Sequence, residues 1–74
     1  MFVWLATFED LYNNQTVTFF HGSTKNKAIK SVLEWMFESG FEWENYPKIT
    51  EELQTKGRCR ITDNLLEVRR FDYD

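Results

Sequence analysis

Seventy-four residues with 42% hydrophobic and 18% aromatic content, one Pro and three Gly lead to the expectation of a single folded domain, residues 1–74, and speak against a disordered chain. The net charge of −3 is too small to imply a partner by itself. One cysteine, Cys59, excludes an intrachain disulfide and a cysteine-based metal site.

A core this small depends on large side chains, and three Trp, seven Phe and three Tyr supply them. The absence of disulfide staples and of a basic n-region before the first apolar run leads to the expectation of a cytoplasmic protein, in the host cytoplasm if the chain is viral. No apolar stretch approaches the ~20 residues that span a bilayer, so no membrane partner is expected.

Residues 2–10, FVWLATFED, read as a strand, and residues 16–21, TVTFFH, as a second. With Asn13 and Asn14 as a two-residue hairpin loop, Phe8 faces Phe19 and Ala6 faces His21. That register puts Trp4, Ala6, Phe8, Val17 and Phe19 on one face, and Val3, Leu5, Thr7, Thr18 and Phe20 on the other.

Residues 24–39 follow as a helix capped by Ser23 or Thr24. Its apolar stripe is Ala28, Ile29, Val32, Leu33, Met36 and Phe37, with Trp35 at the margin and Gly40 as terminator. PKITEELQTK, residues 47–56, reads as a shorter helix whose buried contacts are Ile49 and Leu53. Between the helices, Phe41 and Trp43 are expected to seal one end of the core and to leave Glu42, Glu44 and Tyr46 outside.

A second hairpin closes the chain. Placing its loop at Asp63 and Asn64 pairs Ile61 with Leu66, Arg60 with Glu67 and Cys59 with Val68. Cys59, Ile61, Leu66 and Val68 then form an apolar face, opposite one with Arg58, Arg60, Glu67 and Arg69. The assembled expectation is an α+β domain, ββααββ, with a four-stranded, mostly antiparallel sheet and one long helix on one face.

Chemistry is sparse. His21 has no Asp or Cys near it in sequence, and Cys59 falls on the core face, where a thiol acts as a small hydrophobe. The glycines are scattered at 22, 40 and 57, which excludes a Gly-rich phosphate loop, and no acidic pair comes with a metal-ligand set. The expectation is therefore a non-enzymatic protein with no cofactor and no metal. The leading reading is an accessory or inhibitor protein, of the kind phages and mobile elements encode, that sterically blocks a larger macromolecule such as a nucleic-acid enzyme.

The candidate partner-binding residues are Glu38, Glu42, Glu44, Tyr46 and Tyr12, since aromatics anchor interfaces and carboxylates steer basic partners. The alternative is a nucleic-acid-binding module, with Arg58, Arg60 and Arg69 on phosphates and Phe20 stacking on bases. Compatible with either is a homodimer through an open sheet face carrying Val3, Leu5 and Phe20.

Overall fold

In the computed structural model, residues 1–40 and 46–73 are described, residues 17–19 by backbone alone. The elements are β1 (Phe2–Asp10), β2 (Gln15–Gly22), α1 (Lys25–Glu38), α2 (Tyr46–Lys56), β3 (Arg58–Ile61) and β4 (Asn64–Asp72). The strands form one sheet in the order β2-β1-β4-β3, and each neighbouring pair is antiparallel. This is an α+β domain with an antiparallel sheet and two helices.

Alternation along the two central strands decides which sheet face is buried. Ala6 lies opposite Val68 and Phe8 opposite Leu66, and all four are at most 5% exposed. Against them α1 lays Ala28, Ile29, Val32 and Met36, each at most 2% exposed. Sequence reading assigned this cover to one long helix. The structure divides it: Ile49 and Leu53 of α2 are buried in the same core, alongside Cys59 of β3.

The helix ends follow ordinary capping chemistry. Thr24 Oγ1 accepts from the Lys27 amide at 3.2 Å, with Thr24 itself extended at φ −130°. At the far end the Gly40 amide donates to the Phe37 carbonyl at 3.2 Å, and Gly40 has φ +86°. Gly57, at φ +77°, ends α2 by donating to the Leu53 carbonyl at 3.1 Å. The two helices are tied by Lys25 Nζ donating to the Gln54 carbonyl at 2.7 Å, and by Gln54 Nε2 donating to Asn26 Oδ1 at 3.0 Å.

On α1, two side chains exchange the places expected of them. Trp35, assigned to the margin, packs its ring 5.3 Å from Phe8 and 5.4 Å from Phe20. Phe37, assigned to the apolar stripe, is 74% exposed. Trp35 is i+3 from Val32 and i+7 from Ala28, so it continues the inner stripe, whereas Phe37 follows Leu33 onto the flank beside α2.

The first hairpin is corrected by one residue. Its connection spans residues 11–14, with Asp10 opposite Gln15 and a bulge between Phe8 and Glu9. Asp10 Oδ1 accepts the amides of Tyr12 (3.0 Å) and Asn13 (3.2 Å), Oδ2 accepts Asn13 Nδ2 at 2.7 Å, and Asn14 takes φ 54°. A carboxylate that organises the turn from outside it favours this longer loop over a two-residue one. Beyond the bulge Phe8 pairs with Thr18 and Ala6 with Phe20. A one-residue slip exchanges faces, so Phe20 packs against the core cluster and does not join the open face.

The second hairpin slips by two residues, which preserves its faces. Ile61 pairs with Asn64, Arg60 with Leu65, Cys59 with Leu66 and Arg58 with Glu67. Glu67 therefore sits across from Arg58, where sequence reading paired it with Arg60. The turn is Thr62 and Asp63, with Thr62 at φ 51° and the Asp63 carbonyl accepting the Leu11 amide at 2.7 Å.

Gly22, where β2 hands over to α1, has no room for a side chain. A Cβ there would lie 2.5 Å from the Ala28 amide nitrogen and 2.9 Å from the Lys27 carbonyl carbon. Both are backbone atoms of the first helical turns and cannot rotate aside. Gly22→Ala is expected to cost about 2 kcal/mol or more, in the range of overpacked sites. Gly40→Ala meets no atom within 4 Å and carries only the cost of its positive φ. Urea unfolding of both variants measures the difference.

Candidate binding surface on the open sheet face

With both helices on one side, the opposite face of the sheet is formed by the odd-numbered positions of β1 and β4. Across the sheet, Leu65 stands between Arg60 and Glu9, and Glu67 between Arg58 and Thr7. Next along the strands, Arg69 pairs with Leu5, which has His21 on its other side, and Phe71 pairs with Val3. Val3, Leu5 and Leu65 are half-buried, Phe71 is 48% exposed, and Arg58, Arg60, Arg69 and His21 are exposed.

This arrangement brings an apolar diagonal and three guanidinium groups onto one surface. Against the arginines stand Glu9 and Glu67, so the face carries a net charge of one positive on a chain whose total is −3. Arg58, Arg60 and Arg69 share the face expected for them, and Val3 and Leu5 are on it too. Phe20 is not: it is half-buried on the helix side against Trp35.

Phe71 and Leu65 are the members that sequence reading missed. The alternation Leu65, Glu67, Arg69, Phe71 was present, but only Glu67 and Arg69 of it were assigned to this face. In the structure β4 continues to Asp72 opposite Phe2, and the Tyr73 amide donates to the Met1 carbonyl at 2.9 Å. Arg70, on the other face, stacks 4.1 Å over the Phe2 ring and pairs with Asp72 at 3.1 Å. It is engaged with its own neighbours.

The acidic-aromatic residues divide. Glu38 and Tyr46 meet in a groove of about 600 Å³ between α1 and α2, whose apolar lining is Ile29, Leu33 and Phe37. Tyr12 is 82% exposed on the β1–β2 turn, a separate element. Glu42 and Glu44, with Phe41 and Trp43, lie outside the described residues.

Among the described residues, no group of three or more His, Cys, Asp or Glu could hold a metal ion. No described helix is long and apolar enough to cross a membrane. Compared with protein-family models, with curated proteins and with solved structures, the chain has no match.

Cys59 is 5% exposed. Burial, reinforced by a hydrogen bond to the Glu52 carboxylate and by its charge, pushes the thiol from an ordinary value of 9.0 up to about 12. A thiol whose folded pKa is raised stabilises the fold fully below its unfolded pKa. That contribution is lost as pH rises towards the folded value, because only the unfolded chain releases the proton. Two outcomes follow. Ellman's reagent at pH 8 should leave the native thiol unmodified and titrate it fully in guanidinium. Between pH 9 and pH 11, wild-type stability should fall more steeply than that of Cys59→Ala, as followed by urea unfolding at each pH.

Proposed function

We propose that this chain is a non-enzymatic binding domain that occupies a surface on a larger protein, as an accessory or inhibitor protein does. The observation that carries this reading is the open sheet face, where Val3, Leu5, Leu65 and Phe71 lie beside Arg58, Arg60 and Arg69. Aromatic and arginine side chains are the residues that most often dominate binding energy, and apolar neighbours exclude water around them. The complementary partner has an apolar centre and carboxylates opposite the three arginines. A sheet face held by three strand pairings is preorganised, so little ordering free energy opposes docking.

A second reading, that this face binds single-stranded nucleic acid, is favoured by the three arginines together with exposed Phe71 and His21. Salt separates the two. Three arginine–phosphate contacts to a single strand give a log–log slope of affinity against salt of about −2, which replacing Arg58, Arg60 and Arg69 by Gln would flatten.

The decisive experiment has two steps. Affinity capture with and without nuclease identifies a partner, and titration calorimetry then compares wild type with an Arg69→Glu/Phe71→Ala double variant. The expected outcome is a nuclease-resistant protein partner whose affinity falls by about 10-fold or more in the variant, with the melting profile kept. Unchanged affinity would remove this face from the function. Recovery of nucleic acid alone, with the steep salt slope, would replace the protein reading with the second.

A further inference from the structure

Edge strands in soluble proteins are usually short, charged, interrupted by proline or covered, because an exposed ladder edge pairs with other chains. The two edges of this sheet are treated differently. At one end β3 has only four residues and carries Arg58 and Arg60. At the other, β2 has eight residues, QTVTFFHG, with no Asp, Glu, Lys, Arg or Pro. It lies within residues 11–24, fourteen consecutive positions without a formal charge and the longest such run in a chain that is 28% charged. β2 thus has the composition of an interior strand while occupying an edge.

Backbone directions say which groups are available. The Tyr73 amide donates to the Met1 carbonyl in continuation of the Phe2–Asp72 register, so odd positions of β1 exchange bonds with β4. Even positions Trp4, Ala6 and Phe8 then exchange bonds with Gly22, Phe20 and Thr18 of β2. Phe19 and His21 consequently turn their N–H and C=O groups away from the sheet. Among the described residues no strand pairs with that outer edge. The bulge near residue 17 blunts the start of the strand, but residues 18–22 run in unbroken register.

We infer that residues 18–22 of β2 pair antiparallel with the same residues of a second copy, giving a homodimer with one continuous eight-stranded sheet. A twofold axis beside Phe20 sets Phe19 of each copy against His21 of the other, where both residues exchange backbone bonds. Self-pairing suits this edge because it brings no like charges together, although each copy carries −3. It also closes: the remaining outer edges are the two short β3 strands bearing Arg58 and Arg60, so growth stops at two. The twofold axis stands perpendicular to the sheet, so the helices of both copies share one side and the two open faces merge on the other. The inference is independent of the proposed function, which concerns the face and not the edge.

The test is sedimentation equilibrium over a wide concentration range, with amide exchange at His21 followed by NMR in parallel. His21→Pro removes an outward N–H that the β1 ladder does not use, and His21→Lys places an exposed charge on the edge without altering the backbone. The expected result is a mass of twice 9.0 kDa for wild type at high concentration and 9.0 kDa for both variants. The His21 amide should exchange slowly in the dimer and rapidly on dilution. Should the proline variant fail to fold, the lysine variant and the wild-type exchange data decide. A wild-type chain that stays at 9.0 kDa overturns the inference and leaves the edge to a strand of another protein. A dimer that survives the lysine substitution, a His21 amide indifferent to concentration, or growth beyond two copies overturns it equally.

Discussion

The close approach of α1 to the end of β2 is the contact on which the remaining packing depends. It is permitted by the missing side chain of Gly22, whose Cβ position is occupied by backbone of the first helical turns. Lys25, the first residue of the helix, places its Nζ 5.8 Å from the centre of the Trp4 ring, so the helix starts beside β1 as well as β2. From there its inner stripe runs across Ala6, which is fully buried and small enough to admit it. A helix held one side chain further out would pack Val32 and Met36 less densely into the core cluster that Phe8 and Leu66 share with them.

Once α1 is placed, the second helix has one position left. α2 lies beside α1, with its end held by Gln54 to Asn26 and by Lys25 to the Gln54 carbonyl, and it inserts Ile49 and Leu53 over β3 and β4. Its termination at Gly57 feeds straight into β3, where the Gly57 carbonyl accepts the Val68 amide at 2.8 Å. Two helices of fourteen and eleven residues cover one sheet face, and among the described residues no element covers the other. An exposed sheet face is either partnered or kept partly polar. Here it is mixed, with arginines beside an apolar diagonal. The proposed interface uses this property.

Charge and edge composition separate two kinds of surface. The open face is amphipathic and suited to a partner with complementary charge. The β2 edge is uncharged and suited to a partner with the same backbone spacing. The two surfaces share no backbone hydrogen-bonding group, so a dimer joined at the edge would present two open faces side by side and gain avidity from their linkage.

What the sequence determined by itself was the periodicity of each element and the chemistry of its ends. The 3.6-residue spacing of Ala28, Ile29, Val32 and Met36, the Thr24 cap, and the glycines at 40 and 57 are local properties, written into neighbouring residues. The arginine positions were legible for the same reason, because a two-residue slip in the second hairpin leaves Arg58, Arg60 and Arg69 on one face. Phe20 was not legible. Its face depends on a bulge and on whether Asp10 caps a four-residue turn, and a chain with apolar residues on both sides of the hairpin gives no pattern against which a one-residue slip would show. The choice between Trp35 and Phe37 as the buried ring also fell to tertiary structure, since it turns on the angle at which α1 meets Phe8 and Phe20. Phe71 entered the open face only because Val3, near the other end of the chain, supplied it with a cross-strand neighbour. Faces and ends of elements follow from residues a few positions apart. Which strand flanks which, and by what register, is decided by contacts between distant residues, and those exist only once the chain has closed on itself.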